Sequence, residues 1–134
     1  MAEPYVADAP SLTTDVLRRN MMKIEEGPRP PVERLAACIL FQATSDATRE
    51  VALSLDGDQM GIAYDGRNDA TTHGNLFPEM VRVMFRFAGK RLWPWSRTCD
   101  NKRLELEFEP SGVTSVWSMN STDLRRELRL KRMT

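Results

Sequence analysis

Short alternating runs joined by turn-forming residues constrain the fold of this chain more than any other feature of its sequence. Such runs predict strands at residues 51–55, 60–64, 103–108, 113–119 and 126–132. Asp56-Gly57-Asp58 separates the first two runs, Asp65-Gly66 closes the second, and Pro110-Ser111-Gly112 separates the third from the fourth. Segments of this kind between alternating runs are typical of β-hairpins, so the sequence predicts a mostly antiparallel sheet.

The last run carries two patterns. Leu124 and Leu128 have the spacing of one face of a helix. Leu128 and Leu130, however, alternate with Arg129 and Lys131 as in a strand. We assign this run as the fifth strand.

Two segments have the periodicity of amphipathic helices. Residues 75–88 are the clearer one, with Pro78 in the first turn and Gly89 after the last. Its apolar side is formed by Leu76, Met80, Val83, Met84 and Phe87. A second helix is predicted at residues 32–44, where Pro31 or Val32 suits a first turn. Residues 67–74 are polar, and we predict a loop there.

The N-terminal part has a different character. A short helix is predicted at residues 11–26, and the glycine and prolines of residues 27–31 favour a linker. We therefore divide the chain into an extension and linker, residues 1–30, and one domain, residues 31–134. The predicted fold class is α+β, with about five mostly antiparallel strands, two helices on one face and the short N-terminal helix.

Charge is distributed unevenly, although acidic and basic residues balance over the chain. Residues 32–66 hold six acidic residues against two basic ones, and residues 79–103 hold seven basic against two acidic. This separation fits head-to-tail self-association. The simpler interpretation, which we favour, is two solvated faces of opposite sign.

Cysteines and hydropathy suggest a compartment. Cys38 lies in an apolar run and is predicted to be a buried small side chain, whereas Cys99 lies in a polar stretch. Two distant cysteines suggest neither a disulfide framework nor a zinc site, and a reducing compartment is the simpler assumption. No apolar run approaches the length of a membrane span. We therefore expect a cytoplasmic protein.

Catalytic motifs are missing from the sequence. There is no glycine-rich phosphate loop, and Gly89-Lys90 follows a predicted helix instead of opening one. His73 is the single histidine, which leaves no cluster for zinc and no evident base beside a nucleophile. The sequence therefore predicts no enzyme activity, no cofactor and no metal.

One segment suggests binding. Residues 90–97 place Trp93 and Trp95 among the basic residues Lys90, Arg91 and Arg97. Exposed tryptophans in such a setting anchor protein partners or stack on nucleic-acid bases. Alternatively, the rings fold back as a plug under the loop. Their exposure discriminates between these interpretations.

Residues 31–89 resemble the N-terminal domain of the type II secretion and type IV pilus assembly ATPases. In that family a helix leads into an Ala-Ser-Asp-Ile-His segment, a strand pair ends in an Arg-x-Asp-Gly-like turn, and a further helix ends in Ala-Gly. Here the corresponding segments are Thr44-Ser45-Asp46-Ala47-Thr48, Asp65-Gly66 and Ala88-Gly89-Lys90. Residues 116–122 and 126–132 resemble its two closing strands, with Ser121-Thr122 near the Ser-Thr element of the family.

Departures from the family qualify what the resemblance implies. Thr48 stands where the family has histidine. Ile62, Ala63 and Tyr64 stand where it has arginines close to bound nucleotide. The Walker motifs of the family's motor domain are not among these 134 residues. The resemblance therefore implies a fold and a scaffold role, and it argues against ATP hydrolysis.

These features favour a non-catalytic protein-interaction or scaffold domain that binds a protein partner or itself. The alternative is a weak single-stranded nucleic-acid-binding domain that uses its basic side chains: Lys90, Arg91, Arg97, Lys102 and Arg103. An enzyme with an unrecognised site is the third hypothesis. The lack of a titratable cluster in the sequence argues against it.

Overall fold

A computed structural model of the chain describes residues 22–24, 29–109 and 111–133. In chain order its elements are β1 (Met22–Ile24), α1 (Pro31–Ser45), β2 (Glu50–Asp56), β3 (Gln59–Tyr64), β4 (Arg67–His73), α2 (Phe77–Phe87), β5 (Cys99–Phe108), β6 (Val113–Ser121) and β7 (Glu127–Arg132). A 3-10 turn, Gly74–Leu76, leads into α2. The α+β fold class is confirmed, and both predicted helices of the domain are present.

The strands form one mixed sheet of seven strands in the order β1-β5-β6-β7-β2-β3-β4. Every neighbouring pair is antiparallel except β1 and β5, which are parallel. The five predicted strands appear as β2, β3, β5, β6 and β7. The prediction of about five strands was therefore too low by two.

Strand β4 corrects the predicted loop at residues 67–74. Asp65 and Gly66 form a two-residue hairpin with φ of 52° and 84°, the positive values that a type I′ turn requires. The Asp65 carboxylate also accepts hydrogen bonds from the backbone N–H groups of Arg49 and Glu50, each at 2.9 Å. Because β4 is an edge strand with exposed side chains, it lacks the apolar alternation that identifies the other strands.

Strand β1 corrects the predicted N-terminal helix. Met22–Ile24 pairs in parallel with residues 106–108, and Ile24 is only 5% exposed. The Ile24 carbonyl accepts the backbone N–H of Glu109 at 2.8 Å. Burial of Ile24 and pairing with the outer edge of β5 therefore favour a strand here. Residues 11–21, 25 and 26 of the predicted helix lie outside the described residues.

The core lies between the two helices and one face of the sheet. The four central strands share fully buried side chains on this face: Leu104, Leu106, Trp117, Met119, Leu128, Leu130, Val51 and Leu53. Helix α1 contributes the buried Ile39 and Leu40 to this core, and α2 adds the buried Met80 and Met84. The Phe41 ring of α1, 48% exposed, lies at the margin of the core with its centroid 5.3 Å from that of Phe108. The opposite face carries ion pairs such as Arg103 with Glu105 and Arg129 with Glu127.

A buried polar network joins α1 to strand β6. The Trp117 indole N–H donates to Ser115 Oγ at 2.9 Å, and the Ser115 and Thr44 hydroxyl oxygens are 3.0 Å apart. Thr44 Oγ1 in turn donates to the Leu40 carbonyl at 2.7 Å. Each buried donor thus has an acceptor, which is what burial of polar groups requires.

Neither α1 nor α2, the α-helices of the part of the chain that the structure describes, is long and apolar enough to cross a bilayer.

Candidate interaction surface

The connection between α2 and β5 is fixed at both ends by backbone hydrogen bonds. Gly89, with φ of 67°, ends α2, and the N–H of Lys90 donates to the Phe85 carbonyl at 2.9 Å. Pro94 then occupies a turn that the Ser96 N–H closes onto the Trp93 carbonyl at 2.9 Å. Finally, the Arg97 carbonyl accepts the N–H of Leu124 at 2.8 Å. We call residues 90–97 the tryptophan loop.

Both tryptophans of this loop are exposed, Trp93 by 42% and Trp95 by 70%. Their rings stack on each other with centroids 5.1 Å apart and planes 16° apart. The Arg91 guanidinium lies 4.4 Å from the Trp93 ring centroid, within cation–π distance. The interpretation that these rings plug the core is therefore wrong. The fully buried tryptophan is Trp117.

The basic side chains of the loop are available to a ligand. Lys90, Arg91 and Arg97 are all exposed. Among the described residues, none of the three forms an ion pair with a carboxylate. The predicted interaction residues thus stand together as a solvent-facing aromatic pair with adjacent positive charge.

Lys102 and Arg103, which the sequence grouped with the loop, lie on opposite faces of β5, and Arg103 lines a cleft together with the loop residue Lys90. Arg103 pairs with Ser118 and lies on the open face of the sheet, where it forms an ion pair with Glu105 at 3.1 Å. Lys102 pairs with Met119, whose side chain points to the core face. Neighbouring strand residues point to opposite faces, so these two cations are separated.

A groove of about 400 Å³ runs between the start of α2, the tryptophan loop and the β6–β7 connection. Its lining residues are Phe77, Pro78, Val81, Arg82, Leu92, Trp93, Pro94, Ser96, Leu124 and Arg125. The apolar members form its floor. Arg82 and Arg125, with side chains 56% and 67% exposed, stand at its rim. We call this the α2 groove.

Two acidic side chains outside the lining hold the rim arginines in place. Glu79 is 2.8 Å from the Arg82 guanidinium, one turn away on α2. Asp123 accepts the backbone N–H of Arg125 at 3.0 Å and lies 3.4 Å from its Nε. The backbone N–H and then the guanidinium of Arg125 hold the pKa of Asp123 below its ordinary value. Asp123 therefore stays ionised beside the rim.

Glu127 organises the rest of the β6–β7 connection. Its Oε2 accepts the backbone N–H of Thr122 at 2.8 Å and the Thr122 hydroxyl at 2.9 Å. Its Oε1 lies 3.3 Å from the Nε of Arg129. Burial opposes ionisation, but these hydrogen bonds outweigh it and lower the pKa of Glu127 from the reference value of 4.5.

Replacing Glu127 by glutamine should change how stability responds to acid. A lowered folded-state pKa stabilises the fold above pH 4.5, and this contribution is lost as the pH falls through the folded-state pKa. We expect E127Q to lower the free energy of unfolding by about 1–2 kcal/mol at pH 7, with the difference shrinking below pH 4. Urea titrations between pH 3 and pH 7 measure this. E105Q, in an exposed pair, is the control, and equal pH profiles for E127Q and wild type would contradict the assignment.

A second cleft, of about 460 Å³, lies at the other end of α2 and includes Arg86, Lys90 and Arg103 in its lining. Arg86 is bound to Glu33 at 3.1 Å, and Arg103 to Glu105 at 3.1 Å. Only Lys90 remains without such a partner among the described residues. Glu105 also lines this cleft, whereas the lining of the α2 groove has no acidic residue and includes Trp93, so the α2 groove is the stronger candidate for ligand binding.

The remaining reactive side chains do not converge on a site. No group of three or more His, Cys, Asp and Glu side chains in the described part of the chain could hold a metal ion. Cys38 is exposed, which corrects its predicted burial, because it lies off the stripe by which α1 meets the core. Cys99 is buried instead, and its thiol lies 3.4 Å from the Met119 carbonyl. Burial raises the pKa of Cys99.

No model of a known protein family matches the chain, and no match is found among curated proteins either.

The groove was not foreseen from the sequence, although the loop was. The Trp93-Pro94-Trp95 motif consists of three consecutive residues and can therefore be recognised in the sequence. Leu124 and Phe77 come from distant segments and meet only in the fold. No periodicity or motif distinguishes Leu124 from an ordinary core leucine.

Proposed function

We propose that this chain is a non-catalytic protein-interaction domain that binds a partner protein, or a second copy of itself, through the tryptophan loop. The observation that carries the proposal is the exposed, mutually stacked pair of Trp93 and Trp95. Tryptophan and arginine are enriched among the few residues that dominate binding energy at protein interfaces. Both residue types occur side by side in this loop.

The anchoring of the loop supports the same function. Its ends are held by the hydrogen bonds of Lys90 and Arg97, and its turn by that of Ser96. A surface that is already ordered loses less conformational entropy when a partner binds. The stacked rings are likewise arranged before binding. The loop therefore has the preorganisation of a docking surface.

The sequence resemblance to the N-terminal domain of secretion and pilus assembly ATPases supports a scaffold role. At the positions of the family arginines, Ile62 is 3% exposed and packs in the core, while Ala63 and Tyr64 carry no charge. These residues offer no cation to a nucleotide phosphate. This supports a role without nucleotide contact.

Removing the indoles should abolish association. We expect the W93A/W95A variant to lose self-association in analytical ultracentrifugation, or to lose a protein that the wild type captures from its native extract. Truncation of a residue that dominates the binding energy of an interface costs about 2 kcal/mol or more, so the affinity should fall at least about 30-fold if the tryptophans have this role.

Val113→Ala is the matched control. Val113 is an exposed apolar residue, 43% accessible, at the far end of strand β6. This variant should associate as the wild type does. Two results together would refute the proposal. The wild type would be strictly monomeric, and its capture of any protein would not depend on Trp93 or Trp95.

Single-stranded nucleic-acid binding is the alternative, and the 70% exposure of Trp95 beside Lys90, Arg91 and Arg97 favours it. The Trp93 ring already contacts both Arg91 and Trp95, which limits the surface left for stacking on bases. Titration with single-stranded DNA at low salt tests this alternative. Binding should weaken steeply as salt rises, and absence of binding excludes it.

A further inference from the structure

We propose that the α2 groove binds a short acidic segment of the partner protein, which inserts an apolar or aromatic side chain between α2 and the tryptophan loop. This inference rests on the proposed function, because it assigns the class of ligand that the interaction surface takes. The two proposals share Trp93 but differ in their other residues. Trp95 is not part of the groove lining, whereas Arg82 and Arg125 are.

The floor of the groove supplies the apolar half of the recognition. Phe77, Val81 and Leu124 are almost completely buried and close the bottom of the groove, so its accessible apolar surface comes from Leu92 and Trp93 together with two prolines. Pro78 and Pro94 are exposed at its sides. A side chain that displaces water from these surfaces gains free energy in proportion to the apolar area buried. The best fit is an apolar or aromatic side chain.

The rim supplies the charged half. Arg82 and Arg125 are the charged lining residues, and each is paired with one carboxylate outside the lining, Glu79 and Asp123 respectively, so the net positive charge of this surface comes from the loop cations. Lys90, Arg91 and Arg97 add positive charge along the adjacent loop. Complementary charge steers a partner and selects it over partners of the same sign. Carboxylates on both sides of the apolar anchor would therefore meet guanidinium groups.

The geometry favours a protein segment over a nucleic acid. Single-stranded nucleic-acid sites combine a cationic track with ring faces on which successive bases stack. The groove has two rim cations, and Trp93, its one tryptophan, is already stacked on Trp95.

A random dodecapeptide phage library selected on the full chain tests the inference. We expect the enriched peptides to carry at least two carboxylates and one aromatic or large aliphatic residue. Synthetic, fluorescein-labelled copies are then titrated by fluorescence anisotropy with wild type and with R82E/R125E. Reversing two exposed charges should weaken binding at least about tenfold, and added salt should weaken wild-type binding.

The control is R49E/R67E, which makes the same change in net charge with two exposed arginines at the other end of β2 and β4. It should bind the peptides as the wild type does. Thermal unfolding of each variant verifies the fold, and substitutions at such exposed positions usually leave it intact. Peptides of neutral or basic composition, or equal affinity for wild type and R82E/R125E, would overturn the inference.

Two further measurements distinguish failure of the groove inference from failure of the proposed function. If W93A/W95A loses its partner while R82E/R125E retains it, the groove inference fails and the proposed function stands. If labelled oligothymidylate binds the wild type more tightly than any selected peptide does and no longer binds R82E/R125E, the surface binds nucleic acid. In that case both the groove inference and the proposed function fail. If the library enriches acidic peptides that R82E/R125E no longer binds, the inference is supported.

Discussion

Replacing Trp117 by alanine should lower the free energy of unfolding by about 3–5 kcal/mol, the usual range for deleting a buried tryptophan side chain. Trp117 is fully buried in β6, and its ring lies under the Arg132 guanidinium at 5.6 Å. The substitution also removes the indole N–H that donates a hydrogen bond to Ser115 Oγ. Native domains are stable by only about 5–15 kcal/mol, so W117A should lose a large share of its stability. Urea denaturation monitored by circular dichroism measures the loss.

Milder variants keep this prediction testable if W117A does not fold. S115A leaves the buried Trp117 N–H without its acceptor and should cost about 1–3 kcal/mol. W117F removes that donor while filling most of the space. The double variant S115A/W117F should therefore cost less than the sum of the two single variants. Additive costs, or a loss below about 1 kcal/mol for W117A, would contradict the network and the packing.

Gly74→Ala should have the second large effect. A Cβ at this position would lie 2.7 Å from Leu55 Cδ1, 2.8 Å from the carbonyl carbon of Asp58 and 2.9 Å from its oxygen. Two of these three atoms are backbone, so a rotamer change cannot relieve the contact. The backbone cannot simply retreat either, because the Gly74 N–H donates to the Asp58 carbonyl at 2.8 Å. We expect a loss of about 1–3 kcal/mol in the free energy of unfolding, the range of overpacked sites.

Gly61→Ala is the matched control in the same sheet. Its added Cβ would meet the Asn68 side chain at 3.4 Å and the Ser54 side chain at 3.5 Å, which are ordinary contact distances. We expect a change within about 0.5 kcal/mol, measured in parallel by urea denaturation. If both glycine variants lose the same stability, the close approach at Gly74 is not the cause.

Sequence reasoning identified the elements whose pattern is local. Helix α2 follows from its 3.6-residue period and its proline and glycine boundaries, and β5 and β6 follow from alternation on either side of a turn. Strand β4 was missed because Arg67–His73 has no buried face and hence no alternation. Asp65-Gly66 held the missing signal, since that dipeptide favours a hairpin with a strand on both sides.

Two properties of the fold depend on contacts between distant segments. Strand β1 is specified by pairing with β5 and by burial of Ile24, whereas its sequence is equally compatible with a helix. The exposure of Trp93 and Trp95 depends on where the loop lies relative to α2. For that reason the sequence alone does not decide whether these two tryptophan rings are buried or exposed.

Hydroxyl-radical footprinting of the full chain, alone and in its assembly, tests the central claim most directly, because oxidation of a side chain reports its accessibility. In the isolated chain, Trp93 and Trp95 should be oxidised readily and Trp117 should be protected. In the complex or self-associated form, Trp93 and Trp95 should become protected while the exposed Met133 stays reactive. Equal oxidation of Trp93 and Trp95 with and without assembly would contradict the proposal that the tryptophan loop is the docking surface.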